Sequence, residues 1–142
     1  MVSIENLETH ISHWAPALLK TERAYRDSLF SYLVSNLPSN ASVKKEYRDG
    51  GTTTDLFVTL PGWWTDEVYI ELKFNLKKKG EFNRLVGQIT QLDPKKRKIF
   101  IILCGDTSIE YISELRTAFQ EFAEDNIFMP YSPKSLFILT KE

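Results

Sequence analysis

Five consecutive apolar residues, Ile99-Phe100-Ile101-Ile102-Leu103, constrain this chain more than any other feature. A strand half exposed to water alternates polar and apolar residues, because successive side chains point to opposite faces. A run with no polar member is expected to be covered on both faces, as the centre of a layered structure with helices above and below. The chain has the material for those layers. Its 142 residues, 42% hydrophobic and 26% charged, fit one water-soluble globular domain over 1–142.

Spacing supplies the remaining elements. A short helix is expected over about Ile4–Trp14, stopping near Pro16. A longer one follows over about Ala17–Leu37, with Leu18, Tyr25, Leu29 and Leu33 along one stripe. Three strands come next: Val43–Tyr47, closed by Asp49-Gly50-Gly51; Thr54–Leu60, closed by Pro61-Gly62; and Val68–Phe74. A helix over about Glu81–Leu92 turns Phe82, Leu85, Val86 and Ile89 inward. After the Ile99–Leu103 strand, Thr107-Ser108-Ile109-Glu110 has the form of a capping box opening a helix to about Asp125, and Leu136–Leu139 is a last strand. The order is α, α, β, β, β, α, β, α, β: an α/β fold with a mixed central sheet flanked by helices.

The chemistry lies in the second and third strands. In Val68–Phe74 the even positions are all apolar, leaving Tyr69, Glu71 and Lys73 on the other face. Asp55 stands opposite Leu56, Val58 and Leu60 in its own strand. A hairpin that pairs apolar face with apolar face therefore puts Asp55, Glu71 and Lys73 together. Two close carboxylates repel unless a cation lies between them. Their oxygens suit Mg²⁺ or Mn²⁺, and a lysine beside them can orient a water or stabilise charge on a phosphate. A solvated cross-strand charge pair, worth under about 1 kcal/mol, is the plainer alternative. Glu22 within the inner stripe of the second helix, and Gln88 at the edge of the Glu81–Leu92 helix, converge on the same place and favour a site.

This order of motifs resembles the PD-(D/E)xK nuclease superfamily, the restriction-endonuclease-like fold with an αβββαβ core. The resemblance covers about residues 17–105, with the helix and strand of 107–140 appended. Glu22 matches the acid of the early helix, Asp55 that of the second strand, Glu71-Leu72-Lys73 the (D/E)xK of the third, and Gln88 the glutamine of the next helix. Thr54 replaces the proline that often precedes the first acid. The resemblance implies a nuclease that hydrolyses phosphodiester bonds in DNA rather than RNA. Asp55 and Glu71 would hold Mg²⁺ or Mn²⁺, Lys73 would assist the attacking water, and Glu22 and Gln88 would support them. The competing reading keeps the fold as a catalytically inactive module that binds nucleic acid or a protein.

Lys44, Lys45 and Arg48 before the Asp55 strand, Lys77, Lys78 and Lys79 after the Glu71 strand, and Arg84 in a helical row with Gln88 could line a phosphate track. A net charge of -1 argues against a uniformly basic surface. Trp63-Trp64 at a hairpin tip could stack on bases, cover the sheet end or form a dimer contact. So small a domain leaves room for a homodimer or partner subunit to complete a grip on duplex, with Ile112, Leu115, Phe119 and Phe122 either an interface or core. One cysteine, no signal-like N-terminus and no apolar stretch of about 20 residues point to the cytoplasm and away from a membrane.

Overall fold

The computed structural model describes residues 4–62, 65–123 and 134–141, with the backbone alone at Glu5. Two helices open it, α1 (Ile4–His13) and α2 (Glu22–Asn36), followed by β1 (Ser42–Asp49), β2 (Thr52–Leu60) and β3 (Asp66–Phe74). Then come α3 (Lys79–Leu92), β4 (Lys98–Cys104), α4 (Ile109–Ala118), the short α5 (Gln120–Ala123) and β5 (Leu136–Lys141). From α2 to β4 this is the expected αβββαβ core.

The sheet runs β1-β2-β3-β4-β5. Its first three strands are antiparallel neighbours, while β3, β4 and β5 run parallel. The β1–β2 hairpin closes at Asp49↔Thr52 over Gly50-Gly51, where Gly50 takes φ +63°. That left-handed conformation is easy for glycine and suits a two-residue turn. α1 and α2 cover one face, against Leu56, Val58, Val68, Ile70, Phe100 and Ile102. α3 and α4 cover the other, against Phe57, Tyr69, Ile99, Ile101 and Leu103. Every residue from Ile99 to Leu103 is buried, which is why that run carries no polar side chain. Leu115 and Phe119 belong to the same core, and Ile112 and Phe122 pack against it. No helix among the described residues is long and apolar enough to cross a membrane.

Two helix starts differ from the spacing. α2 begins at Glu22, because Thr21 caps it: the Ala24 amide donates to the Thr21 hydroxyl at 3.0 Å. Leu18 therefore lies outside the helix and is 85% exposed. The Thr107–Glu110 capping box does not form. The Ser108 amide donates to the Leu76 carbonyl at 3.0 Å, and Ser108 itself takes the cap position without a side-chain bond. The helix expected to reach Asp125 ends at Ala118 and resumes as α5; Asp125 lies outside the described residues, as do Trp63 and Trp64.

Candidate metal centre

The β2–β3 ladder is regular from Leu60↔Asp66 to Leu56↔Ile70 and then stops. The next pair would have joined Asp55 to Glu71. On the other side of β2, pairing passes from Lys45↔Leu56 to Tyr47↔Thr54, so Glu46 and Asp55 are unpaired across that ladder too. Glu46 takes φ +53°, a left-handed conformation uncommon outside glycine. Side chains replace the missing ladder bonds. The Leu72 amide donates to Asp55 Oδ2 at 2.8 Å, and the Thr54 hydroxyl donates to the Ile70 carbonyl at 3.1 Å. Asp55 thus holds its carboxylate against the β3 backbone at the residue where β2 is paired on neither side, a departure from the continuous sheet face implied by alternation.

Glu22 reaches the same place from the opposite layer. As the first residue of α2 it arrives from the helix end, rather than from within an apolar stripe anchored by Leu18. One carboxylate oxygen from each of Glu22, Asp55 and Glu71 lies within 4.8 Å of the others. Lys73 Nζ is 3.9 Å from Glu22 Oε1, too far for a hydrogen bond. One lysine faces three carboxyl groups.

Burial sharpens that imbalance. Glu71 is 3% exposed, and its Oε2 is buried with no hydrogen-bond partner. Its pKa is held far above the ordinary carboxylate range, first by burial and then by hydrogen bonding to and repulsion from Asp55, with Lys73 opposing. The Glu22 pKa is also raised, by burial, against which Lys73 pulls down while Asp55 and Glu81 push up. An all-oxygen donor set, an orphaned buried carboxylate oxygen and excess negative charge together fit a hard divalent cation. Without one, a proton must take its place on Glu71.

Gln88 lies on α3 between the buried Leu85 and Leu92, and its Oε1 is buried without a partner. Three contributors were missed by sequence reasoning. Thr54 bonds across the gap, and Glu81 on α3 adds to the field at Glu22. Arg26, one turn after Glu22, donates from Nη1 to Glu46 Oε1 at 2.6 Å and ties α2 to the left-handed residue of β1. An arginine four residues after Glu22, and so on the same helix face, was the available signal.

The basic residues are dispersed. Lys45 lies over the Phe30 ring of α2 and 3.5 Å from Asp27, whereas Lys44 lies over Tyr47 towards the other layer. Lys77 pairs with Asp106. Arg48, Lys78, Lys79 and Arg84 are exposed. Cys104 is buried, and burial pushes its thiol up to about 12, as for an inert core thiol.

No protein-family model matches the chain, and no curated protein matches it in sequence. Among solved structures, SfsA of Pyrococcus furiosus, in complex with Ca²⁺, is similar in fold, with a TM-score of 0.50 at 16% identity. The likeness covers 90% of this chain and 60% of that one, so the chain spans about 60% of that protein's length.

Proposed function

We propose that this chain is a divalent-metal-dependent nuclease of the PD-(D/E)xK kind, acting on DNA from a single domain over 1–142. The observation that carries this reading is the buried, partnerless Glu71 oxygen set among three carboxylates where the β2–β3 ladder opens. That Pyrococcus furiosus SfsA, a protein of similar fold, was solved with Ca²⁺ is in keeping with a cation site.

Asp55 and Glu71 would hold the cation, Mg²⁺ or Mn²⁺, with Glu22 beside them. When bound, that cation supplies charge neutralisation at a phosphate and a more acidic water. The protein's own groups do the rest. The Leu72 amide fixes Asp55, so its carboxylate needs no reorganisation on binding. Lys73, drawn towards Glu22, holds an ammonium beside the carboxylates, where it can orient the attacking water and offset negative charge growing on the phosphate. Gln88 offers a buried amide oxygen on α3 that can accept a hydrogen bond from that water. Lys78, Lys79 and Arg84 would hold flanking phosphates, with Lys44, Lys45, Arg48 and Lys77 farther along the strand. A cytoplasmic setting and pairing with a second copy or another subunit accompany this reading.

The test is cleavage of labelled single-stranded, duplex and branched DNA, and of RNA, with Mg²⁺, Mn²⁺ or EDTA. Metal-dependent cleavage should fall by on the order of a thousandfold in Lys73→Ala and in Asp55→Ala, each shown to be folded. Wild type and variants that all fail to cleave would leave only an inactive module.

A further inference from the structure

Beside the carboxylates, the ends of β3, β4 and β5 and the start of α4 border an open cleft of about 830 Å³. It neighbours the candidate centre along the chain: Phe74 follows Lys73, and Lys20 precedes Glu22 by two residues. Its apolar lining includes Phe74 and Leu103 from the strands, Ile109 and Ile112 from α4, and Leu18 ahead of α2. Leu18 and Ile109 are 85% and 82% exposed, an unusual cost for two large aliphatic side chains bordering one hollow. The ring of Phe74 is steadied by Tyr25, 5.4 Å away between centroids.

Two features make this a built hollow. Gly105 has φ +73°, and a Cβ there would lie 2.3 Å from Asn75 Oδ1 and 2.8 Å from the Phe74 ring. Only glycine lets β4 pass so close to the β3 end. The second is Thr107, whose hydroxyl is freed from the capping role its sequence suggests. It belongs to the cleft lining, and its Oγ1 is buried with no partner. A buried hydroxyl is costly to leave unsatisfied, so an orphan just behind a cleft wall gains by turning to a ligand that enters.

We propose that this cleft receives an unpaired nucleobase from the strand whose phosphate lies at the carboxylates, which makes single-stranded or locally unpaired DNA the substrate class. The inference rests on the nuclease reading. The volume falls within the roughly 300–1,000 Å³ of sites for small organic ligands, and an apolar lining with a few convergent polar groups is the composition such sites have. A flat base presents an apolar face to Phe74 and Ile112, and rotation of the Thr107 side chain brings to its polar edge a hydroxyl that can both donate and accept. Lys20 supplies positive charge for the adjoining phosphate. A base still paired within a duplex cannot enter.

The experiment uses the full chain and short DNA strands carrying 2-aminopurine, a base whose fluorescence changes when it leaves its stack. Binding is followed with Ca²⁺, and cleavage with Mg²⁺ on single-stranded, flapped and fully paired DNA. Wild type should give a saturable fluorescence change and cut unpaired DNA at least about tenfold better than continuous duplex, the scale of holding one base. Leu18→Ser/Ile109→Ser, at exposed positions, should abolish the fluorescence change and raise KM for single strands about tenfold. Thr107→Val should alter which base is preferred. Val34→Ser, at an exposed aliphatic on the far end of α2, should change neither readout. Cleavage and fluorescence indifferent to the cleft variants, or duplex cut as well as single strands, would overturn the pocket and leave the nuclease. A saturable signal lost in the cleft variant, without cleavage of anything, would keep the pocket and overturn the nuclease.

Discussion

Toward Pro61 the β2–β3 hairpin pairs residue by residue, and Leu56, Val58, Val68 and Ile70 are fully buried beneath α1 and α2. Toward Asp55 the same two strands give up their ladder, and polar side chains bond the backbone in its place. The first half stabilises the fold by burying apolar surface, at roughly 25 cal/mol per Å². The second half costs stability, because Glu71 is pulled out of water, and Glu22 partly so, among like charges. The contrast teaches that the well-packed half is what makes the strained half tolerable. At Asp55 β2 is paired on neither side, beside the left-handed Glu46, and backbone strain of that kind gathers at functional sites.

Three changes would break or sharpen that contrast, taken from the largest effect to the smallest. Ile70→Ala, at the last regular pair, should lose about 2–5 kcal/mol of unfolding free energy in denaturant titration. A smaller loss would mean that the closed half does not anchor the hairpin.

At the open half the prediction concerns pH. The folded-state pKa of Glu71 lies above its unfolded value near 4.5. The folded chain therefore keeps a proton that the unfolded chain has released, and stability falls as pH rises above about 4.5. For one proton the slope is at most about 1.4 kcal/mol per pH unit. The melting temperature in EDTA should thus decline from pH 5 to pH 8, with Glu22 adding in the same direction. Glu71→Gln should flatten the decline, and added Mg²⁺ should raise the wild-type melting temperature more at pH 8 than at pH 5. A wild-type curve as flat as that of the variant would show that Glu71 is not strained.

The smallest effect is expected of Thr54→Val, which keeps the shape and removes the bond to the Ile70 carbonyl. It should cost about 0.5–1.5 kcal/mol, and it should weaken Mg²⁺ binding by calorimetry if the gap is held open for the cation. Lost stability with unchanged Mg²⁺ affinity would make Thr54 a fold residue alone.

Much of this molecule was legible in advance. The unbroken Ile99–Leu103 run required two covering layers, and two-residue alternation separated Glu71 and Lys73 from the apolar face of β3, because both follow from local geometry and the cost of wetting apolar side chains. The αβββαβ order was readable for the same reason. Where the reading failed, nonlocal contacts decided. Spacing drew Leu18 into α2, but the Thr21 hydroxyl caps the helix later and leaves Leu18 at a cleft rim. Local pattern made Thr107 a cap, but the Ser108–Leu76 bond moved the helix start and freed its hydroxyl.

Sequence alone determined the layer order, the core strand and the shared strand face of Glu71 and Lys73, since each depends on neighbours a few positions away. Tertiary structure decided that β2 and β3 part at Asp55, that Glu22 enters from a helix end, and that Arg26 secures Glu46 across the layers. Those features depend on how distant backbone and charges meet, and no periodicity within a single segment encodes such a meeting.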